Sequence, residues 1–395
     1  MNATRRMLMF AAAVALFLTG VPSFVAISAA SNSLVPPRVI KCDRERATIL
    51  GSRGDDVITG TPRADVIVAR NGNDVVYGRG GNDIICTGRG ADHVRAGEGS
   101  DIVEAGSGHD MIWGGSGDDS FDAGAGNDVA KGGNGRSLQV GGPGRDRMVG
   151  GPTNDNFEST GRDWSADTDV FVGRGGRDSF SADPGDDLFD GGPGRDHLSY
   201  FDSPRGVDVD LAAGTATGDG SDVLLSIADV AGSRHDDIIR GNQLRNDIFS
   251  APGNDIVYGL GGDDELLDTS GGDRIEGGRG DDQLFTGFCS RSSHGPTNCQ
   301  TDPPLPDILI GGPGNDQIGS GPGDDLLSGN SGDDWLSGGD GSDLINGDTG
   351  DDDLYGGTAA GTRPNADDRV QDDLDGGGGT DRCRGRDDTF TNCEQ

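Results

Sequence analysis

The sequence predicts an all-β parallel solenoid built from nine-residue units, and three observations carry that prediction. The composition does not suit an ordinary globular core: Gly is 73 of 395 residues, aromatics are 5%, and the AVILMFWYC set is 32%, against roughly 45–50% apolar residues in a typical domain. Charge is one-sided, with 68 Asp+Glu, 32 Lys+Arg and a net −36. Such a surface repels phosphates and anionic lipids, which argues against nucleic acid and an anionic membrane surface as partners, and no stretch after residue 30 is long and apolar enough for membrane insertion. The third observation is a strict period of nine, which separates the chain from the disorder that high charge and few aromatics otherwise imply.

Residues 1–30 read as a cleaved export signal. Arg5 and Arg6 precede an apolar run from Met7 to Leu18, and Ser28-Ala29-Ala30 offers small residues for cleavage. Twelve apolar residues are too few to span a bilayer, which takes about 20. Thr4-Arg5-Arg6-Met7 also fits a twin-arginine signal loosely, and the two export routes stay open. The expected product is secreted. Residues 31–50 form a linker and cap.

The repeats begin at Gly51. Residues 51–158 are twelve uninterrupted nonapeptides with position six at Asp56, Asp65, Asp74, Asp83, Asp92, Asp101, Asp110, Asp119, Asp128, Ser137, Asp146 and Asp155. A second block, 159–199, carries Asp169, Asp178, Asp187 and Asp196. A third, 232–285, carries Asp237, Asn246, Asp255, Asp264, Asp273 and Asp282. A fourth, 307–357, carries Asp307, Asp316, Asp325, Asp334, Asp343 and Asp352. Asp372 and Asp381 fall in the C-terminal segment, 358–395. Position six is Asp in 28 of 30 units.

Each position has a physical task. Gly at one, two and four permits positive φ and close backbone approach. Positions seven to nine are β-prone. Strands alternate faces, so position eight points inward and seven and nine outward. One unit is then a turn plus a short strand, and two units make a coil with one strand on each of two parallel sheets. Coils stacked about 4.8 Å apart align position six of every second unit. Asp56, Asp74, Asp92, Asp110, Asp128 and Asp146 share one edge, and Asp65, Asp83, Asp101, Asp119 and Asp155 share the other. Carboxylates in such rows repel unless neutralised. Together with turn carbonyls they form a set of hard oxygen donors, which is what calcium takes. No His or Cys recurs at a repeat position, which disfavours zinc and copper.

The unit GGxGxDxUx, as in Gly114-Gly115-Ser116-Gly117-Asp118-Asp119 and Gly311-Gly312-Pro313-Gly314-Asn315-Asp316, resembles the calcium-binding nonapeptide of the RTX (repeats-in-toxin, haemolysin-type) family. The resemblance covers about two thirds of the chain. It implies a parallel β-roll with calcium between successive turns on each edge, held by the 28 position-six Asps and turn carbonyls. Beside Ser137 and Asn246 calcium should be weak or missing. RTX toxins and proteases usually carry a C-terminal export signal. An N-terminal signal and a Cys-stapled C-terminus instead make the chain look like exported, repeat-only actinobacterial proteins.

Six cysteines in an exported chain predict disulfides. Spacing favours Cys289–Cys299 and Cys383–Cys393, leaving Cys42 with Cys86 to pin an N-terminal cap. This is one of the fifteen pairings that six cysteines allow. Three insertions interrupt the roll. Residues 200–231 alternate apolar residues around Gly/Thr turns and read as wider coils or a hairpin edge. Residues 286–306 are a Ser/Pro/Asn loop around Cys289 and Cys299, and 356–371 are polar.

No HExxH or GxSxG motif is present, and no segment outside the repeats is long enough for a catalytic domain. The reading is a non-enzymatic, calcium-binding exported β-roll with a structural or surface-interaction role, its partner cell-wall material, a glycan or a protein. The alternative is a module, catalytic or not, acting on extracellular polysaccharide. Ice binding wants a regular Thr/Asn row, and position five is irregular.

Overall fold

The computed structural model describes residues 41–158, 167–287, 305–357, 371–385 and 388–394. Among these every regular element is a β-strand and none is a helix. None therefore forms a helix long and apolar enough to cross a membrane. The export signal, Cys289 and Cys299 lie outside the described residues.

The nine-residue unit folds as its residues dictate. Val75–Gly80 pairs in parallel with His93–Glu98, Val75 opposite His93, so one coil is two units. Ile84–Arg89 pairs with Ile102–Ser107 in the same register on the other wall. The described strands form two walls, of 19 and 17 strands. In the first, Val57–Thr59 at one end pairs only with Val75–Gly80, and Thr389–Thr391 at the other only with Asp373–Asp375. The architecture is a parallel β-solenoid, as the repeat predicts.

Position eight fills the interior. Val76, Ile85, Val94, Ile239, Leu266, Leu309 and Leu354 are all fully buried. Between coils the column thickens to Phe: Phe157 stacks on Phe180 at 4.9 Å and Phe171 on Phe189 at 5.3 Å. Position seven faces out, with Val57 76% and Met111 38% exposed. Tyr77 and Trp113, at position nine, flank the Arg95 guanidinium on the same face.

The 200–231 insertion takes the form of a meander rather than wider coils. Asp208–Asp210, Thr215–Thr217 and Ser221–Leu225 run antiparallel to one another. The last pairs in parallel with Leu188–Asp190 and the first with Ile238–Arg240, so the wall continues through them. The chain doubles back because Asp210 closes a tight turn: its Oδ1 and carbonyl accept the N–H groups of Ala213 and Gly214, and Gly214 has φ +71°. In the other wall, Asp196–Ser199 pairs directly with Ile227–Ala231. The meander thus gives the first wall two strands that the second lacks.

At the N-terminal end a two-stranded hairpin, Lys41–Cys42 with Glu45–Arg46, is tied to the roll by the Cys42–Cys86 disulfide. At the other end Cys383 is bonded to Cys393. Cys383–Cys393 is a pairing the spacing favours, and Cys42–Cys86 is the one it leaves.

Candidate metal sites

All 28 position-six Asps lie on the edges of the roll, and 27 of them, all but Asp56, are buried. They are tied into ladders by one recurring bond. The N–H of each Asp donates to Oδ1 of the Asp one coil later. On the first edge Asp56 donates to Asp74 at 2.8 Å, and the chain of bonds runs on through Asp92, Asp110, Asp128, Asp146, Asp169 and Asp187. On the second it runs from Asp65 through Asp83 and Asp101 to Asp119, and from Ser137 through Asp155 and Asp178 to Asp196. Beyond the meander, Asp237 leads through Asp255, Asp273, Asp307, Asp325 and Asp343 to Asp372. Asn246 leads through Asp264, Asp282, Asp316, Asp334 and Asp352 to Asp381.

The second oxygen is where the sites divide. In 20 of the 28 Asps, Oδ2 is buried with no hydrogen-bond partner. Seventeen of these 20 follow a residue of positive φ at position two of their own unit, such as Gly115 (φ +118°) before Asp119 or Arg79 (φ +84°) before Asp83. Where position two is Ser52, Thr61, Gly151 or Ser233, φ is not positive, and its N–H donates to Oδ2 of Asp56, Asp65, Asp155 or Asp237 at 2.6–2.7 Å. Asn242 does the same to Oδ1 of Asn246 at 2.9 Å. In most units the turn's handedness thus sets whether the carboxylate meets the position-two N–H; Asp187, Asp273 and Asp325 stay open without a positive φ there.

Where position one is glycine, it supplies space beside that oxygen. A Cβ at Gly114 would fall 2.3 Å from Asp119 Oδ2, and one at Gly311 would fall 2.2 Å from Asp316 Oδ2. Glycine here keeps the cradle open.

These oxygens raise the acidity problem that a cation solves. Burial, opposed by the ladder N–H and reinforced by neighbouring Asps, lifts Asp119 and Asp128 to about 7 and Asp146 to about 9. Buried carboxylates without partners are strongly unfavourable unless paired or bound to metal. Hard oxygens in stacked turns fit calcium.

Two ladder members escaped the nine-residue count. Asp222 accepts the Asp187 N–H at 3.1 Å, and Asp388 accepts that of Asp372 at 3.3 Å. Both carry the local signal, Asp followed two residues on by an apolar residue, Leu224 or Phe390, but sit off register. Position five also has a role that composition hid. Its side chain accepts the N–H of position five one coil later, as Asn73 does from Ala91 and Asp333 from Asp351. Its bias toward Asn and Asp was the available sign.

The profile of the RTX calcium-binding nonapeptide repeat, four copies long, matches residues 47–62, 59–94, 95–130, 165–198, 231–266, 267–288, 306–327 and 328–362. No curated protein matches the chain. With stacked parallel coils, aspartate ladders on both edges and a profile match over more than half its length, the chain belongs to the RTX calcium-binding nonapeptide repeat family.

Proposed function

We propose that this protein is an exported β-roll that calcium completes, with a structural or surface-interaction role outside the cell and no catalytic one. The observation that carries the reading is the pair of columns of buried, unpartnered Asp Oδ2 atoms. The ions would be held by those Asps and turn carbonyls. Asp56, Asp65, Asp155 and Asp237, whose second oxygen accepts a backbone N–H, would contribute less. Residues 1–30 would direct export, and the disulfides suit an oxidising compartment.

Calcium would then be part of folding. The interior holds about one apolar side chain per nine residues, thin against a backbone ordering cost of about 1–2 kcal/mol per residue. Without a cation the ladders add self-repulsion. Binding free energy becomes folding free energy, and extracellular calcium modules work at roughly 10⁻⁴–10⁻³ M.

The test is far-UV circular dichroism of the oxidised chain during chelation and calcium titration. A coil-like spectrum without calcium and a steep gain of β signal in the millimolar range is expected. A full β signal at chelated calcium would overturn the coupling.

A further inference from the structure

Position one is Gly, Ala, Ser or Thr throughout the described repeats, with a single exception, Asp268. A charged side chain there occupies the place that glycine normally leaves open beside the position-six carboxylate. Asp268 is 1% exposed, Asp255 1% and Asp273 3%. One carboxylate oxygen from each of the three lies within 4.8 Å of those of the other two.

Each carboxylate is already fixed through Oδ1. Asp255 accepts the Asp237 N–H at 2.8 Å, Asp273 the Asp255 N–H at 2.8 Å and Asp268 the Ser250 hydroxyl at 2.9 Å. In all three, Oδ2 is buried without an N–H or hydroxyl donor, and the Asp268 and Asp273 carboxyls make a hydrogen-bond contact with each other. None is ion-paired with a basic side chain of the described residues. Thr269 Oγ1, next along the turn, is also buried without a partner. Thr269 lacks the positive φ that precedes most unpartnered ladder Asps. The usual turn is therefore not what leaves Asp273 Oδ2 open here.

We propose that Asp268 adds a third carboxylate to the repeating site between Asp255 and Asp273, making a cation site tighter than its two-carboxylate neighbours and filled by calcium before them. The proposal rests on the calcium reading above. Its physical ground is ligand charge: a hard divalent cation meets three fixed carboxylates instead of two, and calcium affinity rises with the count of charged ligands. Ser250 preorganises the third carboxylate, so little ordering remains to be done on binding.

Equilibrium dialysis of the full chain against ⁴⁵Ca at buffered free calcium tests this, comparing wild type with Asp268→Gly and Asp268→Asn. Asp268→Gly restores the residue most units carry, and Asp268→Asn keeps the shape without the charge. At free calcium that fills only the tightest class, each variant should hold one ion fewer per chain. That ion should return at a free calcium about 10-fold higher or more, with the rest of the isotherm and the calcium-saturated circular dichroism unchanged. Superimposable isotherms would overturn the site while leaving the calcium reading intact, as would Asp268→Asn binding like wild type. A wild-type chain that binds no calcium would overturn the calcium reading itself.

Discussion

Gln139 lies inside the roll and donates from Nε2 to the Ser137 hydroxyl at 2.8 Å and to the Val149 carbonyl at 3.0 Å. It stands at position eight, where every other unit of the first block is apolar, and Ser137 stands where the others have Asp. The two departures are one device. The Ser137 hydroxyl donates in turn to Asp155 Oδ1 at 2.7 Å, and the Gly151 N–H donates to Asp155 Oδ2 at 2.6 Å. Hydrogen bonds satisfy the Asp155 carboxylate here as a cation would elsewhere, while Gln139 Oε1 stays buried without a hydrogen-bond partner.

Ser137→Ala should therefore destabilise the calcium-saturated roll by about 1–3 kcal/mol, since it strips a partner from both Gln139 and a buried carboxylate. Urea unfolding at saturating calcium measures it. Ser137→Asp combined with Gln139→Val rebuilds the repeat and should add calcium, read by dialysis.

Substituting a ladder Asp should divide the series. Asp110→Asn removes a carboxylate whose Oδ2 has no partner and should lower calcium stoichiometry and shift folding to higher calcium. Asp65→Asn alters a carboxylate whose Oδ2 takes the Thr61 N–H at 2.7 Å and should leave stoichiometry nearly unchanged. Equal losses would show that the capped oxygen ligates too.

Without calcium, pH should act in an unusual direction. Burial raises Asp255 and Asp273 to about 8 and Asp119 and Asp128 to about 7, whereas an unfolded Asp titrates near about 4. Between those values the folded, calcium-free roll holds protons the unfolded chain has lost, so its stability falls as pH rises. Calcium-depleted chain dialysed from about pH 8 to about pH 5 should gain β signal by circular dichroism. With calcium the sign reverses, because the ligands must be ionised, and acid should raise the calcium midpoint.

The left-handed turns give a prediction in backbone terms. Leu260 has φ +76° and its side chain is 38% exposed. A non-glycine residue there bears about 1–2 kcal/mol of strain, so Leu260→Gly should raise the unfolding free energy from urea melts at saturating calcium by roughly 1 kcal/mol after the extra unfolded-state entropy is allowed for. Gly115→Ala should do the reverse more strongly, since its Cβ would fall 2.1 Å from the Gly97 carbonyl oxygen.

The period of nine made the two walls, the inward position eight and the 28 edge Asps legible, because each is a matter of spacing. The division among those Asps was not legible. It depends in most units on which way position two turns, and Arg79, Ala251 and Leu260 adopt positive φ where residue type alone predicts otherwise. Asp222 was hidden because its neighbour along the edge, Asp187, is 35 residues away rather than 18. Asp268 stood in plain sight, but only the fold shows that position one abuts the carboxylate of position six.

The meander joins the two halves of the solenoid mechanically while separating them chemically. Hydrogen-bonded strands cross residues 200–231 without a gap. The aspartate ladders do not. The first edge ends at Asp222, whose Oδ2 takes the Tyr200 hydroxyl at 2.7 Å, and a new column starts when the Val207 N–H meets Asp237 at 2.7 Å. In a stack where each coil senses only its neighbours, such a splice acts as a fuse. Loss of ions on one side is then expected to stop at Tyr200, which two separate calcium midpoints in a titration followed by circular dichroism would show.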